Sequence, residues 1–344
     1  MHALVVNAGS TSLKLSLVTD GDQPGTRPTT YDTLDAALAA AGRFDTVIHR
    51  VVHGGARSTP APIDDELVDD LHALVDLAPL HQPAALDLIA RCRHALPDVQ
   101  QYACFDTSFH TTVPAAARTY ALPARWRDRI VAYGFHGISH AWSTRQVAGV
   151  MPGARRGVVA PLGGGAALGA VRVGHSVLTP RGFTPLDGLV MATRSGALDP
   201  GAVLWMTEHG DDDVAHVLEH ESGLLGLCGD ADMRAVLRRC DDGDADALLA
   251  VDVFVHRLVT SIGACVATLG GLDALVFTGG VGEGSPSVRG LAASRLAWLG
   301  VAVDDRSPIG DISEVTAAGA SVRAFVVSAR EDLEMVYEIA AMNS

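Results

Sequence analysis

Two short segments of the same design constrain this chain most. Residues 3–6 and 13–18 read as strands, joined by the small polar turn Asn7-Ala8-Gly9-Ser10-Thr11-Ser12. Residues 158–162 and 168–173 repeat the pattern around Gly163-Gly164-Gly165-Ala166-Ala167. Apolar runs bounded by small turn formers are hairpin signals. The same unit at the head of each half predicts an internally duplicated α/β fold, and a chain of 344 residues can bury two cores.

Further strands are expected at 46–52, 101–105, 275–277 and 324–327, each ending at a polar or Gly-rich segment. Ligands of open α/β sheets gather outside such strand ends. Helical periodicity marks 64–77, 84–95, 245–269 and 331–342. The polar, acidic segments 20–45 and 208–222 are expected on the surface, and a short hinge is expected near 106–110.

With 48% hydrophobic and 19% charged residues the chain reads as globular. Its 26 Lys+Arg against 40 Asp+Glu give a formal net charge of −14. That disfavours nucleic acid as a partner but leaves room for a small anion held by local arginines. Cys92, Cys104, Cys228, Cys240 and Cys265 are scattered without a CxxC pair, so reduced thiols are expected, with no disulfide frame or zinc site. Met1 runs directly into a strand pattern, and neither a signal core nor a membrane-spanning run stands out. The expected location is the cytoplasm, with no membrane partner.

Several residues carry chemistry by type and setting. Arg50, in His49-Arg50-Val51-Val52-His53-Gly54-Gly55, ends a strand beside glycines that let backbone approach a ligand. Its guanidinium can fork onto carboxylate or phosphate, though a surface arginine at a turn has the same pattern. Arg194 in Met191-Ala192-Thr193-Arg194-Ser195-Gly196 offers a second fork, or a salt bridge. Two such arginines could neutralise a transferring phosphoryl group. Asp106, in Phe105-Asp106-Thr107-Ser108-Phe109-His110, and Glu331, after the strand at 324–327, are hard oxygen donors for Mg²⁺ or simple helix-terminal acids.

His136 and His140 stand four apart, but the surrounding glycines argue against a helix and no third ligand accompanies them. His136 reads as a donor to a phosphoryl oxygen, and His140 as a packed core histidine. His81, between Pro79 and Pro83, is a site residue or a loop staple. Gly279-Gly280-Val281-Gly282-Glu283-Gly284 is a glycine-rich turn after a strand, suited to a nucleotide, yet it lacks GxGxxG spacing, and no GxxxxGK[ST] occurs. Asp232-Met233-Arg234 could border an adenosine pocket, or be a surface ion pair.

Taken together, Asn7–Lys14, His49–Gly55, Leu77–Pro83, Phe105–His110, Gly134–His140, Gly182–Gly188, Asp232–Arg234, Val276–Glu283 and Glu331 resemble acetate kinase signatures in order and rough spacing. The resemblance implies two duplicated actin-like (ribonuclease H-like) domains with an active-site cleft between them. It places 1–106 plus 333–344 in the N-terminal domain and 107–332 in the C-terminal, nucleotide-binding one. It implies the reaction of ATP with acetate, giving acetyl phosphate and ADP, with Mg²⁺ or Mn²⁺ and a homodimer. By motif, Asn7, Ser10, Ser12 and Lys14 would hold phosphate. So would Gly163, Gly164, Gly165, Gly280 and Gly282, with Asp232 and Arg234 at the nucleotide. Asn7, Asp106 and Glu331 would serve the metal. Arg50 and Arg194 would clamp carboxylate and phosphoryl group, His136 would steady the transition state, and Val52, Leu80, Phe135 and Pro185 would enclose a short acyl chain.

One turn departs from the family pattern. The typical His-Leu-Gly-Asn-Gly-Ser-Ser is here Pro161-Leu162-Gly163-Gly164-Gly165-Ala166-Ala167, losing an imidazole, an amide and two hydroxyls. At roughly 1.5–3 kcal/mol per hydrogen bond to a charged phosphate, two such losses would weaken the donor site by orders of magnitude. Gly284 and Arg330 each stand where the family usually has Asn. The alternatives to an ATP-dependent kinase are therefore another donor, such as pyrophosphate, or a non-catalytic carboxylate-binding homologue. Retention of Arg50, Arg194, Asp106, His136 and Glu331 argues against the last.

Overall fold

The computed structural model describes residues 1–9, 13–23, 25–40, 42–210, 213–305 and 310–342. Two compact units emerge. One comprises 1–111, 133–142 and 330–344, the other 112–132 and 143–329.

The first unit carries β1 (His2–Ala8), β2 (Leu13–Thr19), β3 (Thr29–Tyr31), β4 (Thr46–Val51), β5 (Ala61–Pro62) and β6 (Gln100–Phe105), in the order β3-β2-β1-β4-β6-β5. The second carries β7 (Arg156–Pro161), β8 (Gly169–Arg172), β9 (His175–Leu178), β10 (Ala274–Thr278), β11 (Ile312–Glu314) and β12 (Arg323–Val327), in the order β11-β12-β10-β7-β8-β9. Read from the other end, the second order superimposes on the first. In each, an antiparallel meander (β1-β2-β3, β7-β8-β9) feeds two parallel neighbours (β4 and β6, β10 and β12), and a short antiparallel strand closes the edge. The fold is a duplicated α/β architecture of the actin-like kind.

The eight strands expected from apolar runs are the eight long or central ones. The four others are edge strands of two to four residues, too short for alternation to show. Central strands bury both faces, as sheets covered on both sides require: Ala3, Leu4, Val5 and Val6 are at most 1% exposed.

The helix Ala245–Leu269 has the expected bounds, capped by Asp244 at one end and by Gly270, with φ of 74°, at the other. It is long and apolar enough to cross a membrane. Its buried stripe from Ala247 to Leu269, however, belongs to the core of the second unit, with Val158, Leu275 and Phe277.

Two glycine-rich stretches correct the expectations. Gly137 opens the helix Gly137–Val150, so His140 does lie on a helix. Glycine serves there because a Cβ on Gly137 would sit 2.3 Å from the Asp106 carbonyl oxygen, which its N–H instead meets at 2.8 Å. Gly279 likewise opens the short helix Gly279–Gly284 rather than a turn. Its φ is 77°, and a Cβ would meet the Leu162 carbonyl oxygen at 2.7 Å.

Close packing at Gly54 gives a test of the first core. A Cβ there would fall 2.3 Å from Cγ of Phe105. Gly54→Ala is expected to cost about 1–3 kcal/mol, read from the urea midpoint. A change within 0.5 kcal/mol, the scatter of ordinary surface substitutions, would contradict this packing.

Candidate active site

Parallel pairing of β1, β4 and β6 brings their C-terminal ends to one edge of the first sheet, as in other ligand-binding α/β sheets. Asn7 lies near the end of β1, Arg50 near the end of β4, and Asp106 just beyond β6. The Arg50 guanidinium forks onto Asp106, with Nε donating to Oδ1 at 3.2 Å and Nη2 to Oδ2 at 2.7 Å. Its Nη1 donates to Asn7 Oδ1 at 3.0 Å and stands 3.4 Å from Glu331 Oε2. Asn7 Nδ2 donates to the same Glu331 oxygen at 2.7 Å, closing a ring of four side chains. Glu331 reaches it from the first turn of the helix Glu331–Met342.

The Asp106 side chain is fully buried and that of Arg50 is 11% exposed. Burial alone would lower the Arg50 pKa, but the charges of Asp106 and Glu331 outweigh it and raise it. Two carboxylates against one guanidinium leave a formal charge of −1 + −1 + 1 = −1. Lys14 sits directly opposite Asn7 across β1 and β2, so both share a sheet face. Ser10 and Ser12 lie outside the described residues.

Beside this ring, Val52, Ala78 and Phe135 form a small buried apolar cluster joined by Tyr133. Leu80 is half-buried, two residues beyond Ala78. His136 follows Phe135 with a φ of 57°, a left-handed conformation held between two anchored neighbours. Its carbonyl accepts from Nδ1 of His140 at 2.8 Å. His140 is buried and stacked on Phe109, as a core histidine. The His110 imidazole contacts the Phe135 carbonyl at 3.0 Å, and burial pushes its pKa well down.

His53 is also buried. Its Nδ1 accepts from Gly55 N–H at 3.1 Å, so the proton resides on Nε2. The sequence did not single out Gln82, whose amide clamps the backbone of His53 through bonds of 3.0 and 3.3 Å and so fixes the chain after Val52.

The second unit holds the remaining candidates. In the turn Pro161–Ala167, Gly163 N–H donates to Gly165 O at 2.9 Å and Ala167 N–H to Pro161 O at 2.9 Å. No described residue accepts from the N–H groups of Gly164 or Gly165, and a side chain at Gly164 would enter open space. A Cβ on Gly163 would lie 3.7 Å from Gly280 N, so this turn and the glycine-rich helix adjoin, with Gly282 N–H bonded to Leu162 O at 3.1 Å. Arg194 is 6% exposed, and its Nη1 donates to the carbonyl of the buried Pro185 at 3.0 Å. Burial lowers the Arg194 pKa, countered by the charge of Glu219. Asp232 caps the helix Met233–Asp241 and pairs with Arg234 at 3.1 Å, an exposed ion pair. Arg181, which sequence reasoning passed over, is 1% exposed and bonded to the Ala166 carbonyl.

A model of the acetokinase family matches residues 29–337. The chain belongs to that family. It is 44% identical to an acetate kinase of Streptomyces coelicolor over 319 residues, which cover 89% of this chain and 77% of the relative. An acetate kinase of Leifsonia xyli is 45% identical over 306 residues, covering 85% and 77%. Among solved structures, a propionate kinase from Francisella tularensis matches with a TM-score of 0.89 at 31% identity over 98% of both chains. An acetate kinase from Porphyromonas gingivalis matches with a TM-score of 0.88 at 27% identity over 100% of both. The family consists of phosphotransferases with a carboxyl acceptor.

Two tests follow from the first unit. Arg50→Ala would remove the guanidinium that balances the buried Asp106 carboxylate and is expected to cost about 3–5 kcal/mol, whereas Arg50→Met with Asp106→Asn should cost less than the single change. A single variant as stable as wild type would remove the pair from its central place. The second test concerns acid.

Burial lowers both His49 and His53 from 6.5 to about 4. Depressed pKa values give stability that is complete above pH 6.5 and lost as pH falls toward 4, by up to roughly 3 kcal/mol per group. His49→Asn should therefore flatten the fall in urea midpoint between pH 6.5 and 4.5. A slope equal to wild type would contradict the assignment.

Proposed function

We propose that the protein transfers the terminal phosphoryl group of ATP to the carboxylate of acetate or propionate, forming an acyl phosphate and ADP. The observation that carries this reading is the ring of Asn7, Arg50, Asp106 and Glu331 beside the apolar cluster of Val52 and Phe135. It joins anion-handling groups to apolar side chains suited to a short acyl chain. The names of the relatives support it.

A carboxylate oxygen is already ionised, so its attack on the terminal phosphorus needs no general base. The bond from phosphorus to the bridging oxygen breaks as the new one forms, and ADP leaves with that oxygen's electrons. The work of the protein is placement and charge neutralisation. Arg50 has five N–H donors, of which three are given to Asp106 and Asn7. The second hydrogen on Nη2 would meet the substrate carboxylate, while the Asp106 fork fixes the guanidinium plane. Arg194, held on the Pro185 carbonyl, would meet the phosphoryl group, and His136 would donate to its oxygens. Leu80 and Pro185 would complete the acyl pocket.

The net negative ring of hard oxygens fits Mg²⁺, which uses one or two protein carboxylates besides water and substrate phosphate. Asp106 and Glu331 would hold it, with Asn7 orienting Glu331, and Mn²⁺ is the alternative ion. When bound, it supplies neutralisation of phosphate charge. Ser10, Ser12 and Lys14 would hold phosphate at the first turn. At the second turn the backbone of Gly163, Gly164 and Gly165, with Gly280 and Gly282 adjoining, replaces the side chains usual in the family. Asp232 and Arg234 would border the nucleoside.

Acyl phosphate trapped as hydroxamate, with ATP, Mg²⁺ and either acid, is the test. Turnover is expected with both acids, because one methylene changes kcat/KM by about 10–200-fold at most. Arg194→Ala should lower kcat by about 10²–10³-fold. No hydroxamate from ATP or pyrophosphate, with acetate still bound, would overturn the reading.

A further inference from the structure

Arg181 is an unusual charge to bury. It stands between Pro180 and Gly182, three residues beyond the end of β9, and is 1% exposed. Its guanidinium gathers carbonyls from two different segments. Nε and Nη2 donate to Ala166 O at 3.0 and 2.8 Å, and Nη1 donates to Pro185 O. Nη2 also rests on Met191 Sδ at 3.0 Å. Ala166 belongs to the turn whose side chains are lost here, and Pro185 is the residue whose carbonyl also receives Arg194 at 3.0 Å. A backbone bond from Ala192 N–H to Gly164 O at 3.1 Å joins the same two segments again.

A guanidinium is suited to this task. Its planar fork holds several acceptors in fixed geometry without titrating, where an ammonium offers only a point charge. Bonds from a cation to a carbonyl are stronger than neutral ones, and in a dry core they hold the peptide orientation firmly. The orientation of the 163–167 backbone matters more in this chain than in one with phosphate-binding side chains, because this turn carries no polar side chain and no described residue accepts from the N–H groups of Gly164 or Gly165.

We propose that Arg181 is a positioning residue that locks the glycine turn 163–167 and the Pro185–Arg194 segment into one unit, so that donor affinity and the placement of Arg194 depend on the same side chain. The kinetic part of this inference rests on the kinase reading. Its mechanical part does not, because the two segments should open together whatever the protein binds.

Both parts are tested on the full chain with Arg181→Lys and Arg181→Met. Hydrogen exchange is expected to rise in both variants at 163–167 and 186–194 together, with the first unit unchanged. In turnover, KM for Mg·ATP should rise about tenfold or more in Arg181→Met, with KM for acetate rising too and Arg181→Lys intermediate.

A purely structural role would lower kcat through the folded fraction and leave both KM values at wild type, which would overturn the proposal. So would faster exchange in only one of the two segments. If wild type gives no acyl phosphate, the kinase reading fails while exchange still decides the coupling. If neither variant folds, wild type under mild denaturant decides it: the two segments should share one opening free energy, and separate values would refute the lock.

Discussion

The buried pair of Arg50 and Asp106 is the interaction on which the rest of the first unit depends. Taking two ions out of water is costly, and only an excellent geometry with further hydrogen bonds offsets it. Here the fork is bidentate, and Asn7 and Glu331 complete it. Those partners come from one further strand end and a helix start, so the parallel register of β1, β4 and β6 and the docking of the last helix are all preconditions of one ion pair. The Asp106 backbone carbonyl adds a further demand. It receives the Gly137 N–H at 2.8 Å and so anchors the loop that carries Phe135 and His136.

Much of this was legible in the chain because the signals were local. Runs such as Ala3-Leu4-Val5-Val6 between turn formers specify buried strands, and the repeat of strand, small turn and strand specified the duplication. Arg50, Asp106 and Glu331 were marked by their positions after strands, and Asn7 by its match to the family motif. Their mutual pairing was not legible, since it depends on which strands are neighbours, a non-local fact. The helix at Gly137 was misread because glycine was weighed as a helix breaker, while the decisive quantity was its close approach to Asp106. Arg181 was missed for a similar reason. An arginine in a Pro and Gly-rich stretch looks like a solvated loop residue until the fold encloses it.

The two units solve the same problem with different materials. In the first, charge is concentrated on side chains that hold one another. In the second, the turn between β7 and β8 carries no polar side chain, and its backbone is kept in place by neighbours: Ala192 on Gly164, Arg181 on Ala166, Gly280 against Gly163. Backbone donors are as capable of binding phosphate as side chains are, provided they are held. With no polar side chain at this turn, the expectation is a carboxylate site of ordinary strength and a weakened donor site.

That imbalance is the central claim, and Gly164→Asn measures it most directly. The substitution restores an amide at a position with open space around it. KM for Mg·ATP and for acetate would be determined on wild type and variant side by side. The account expects a fall of about tenfold or more in KM for Mg·ATP, the worth of one hydrogen bond to a charged phosphate, with KM for acetate unchanged. Equal values for Mg·ATP in the two proteins would contradict it, and would mean that the glycine backbone already binds the donor as well as the lost side chains could.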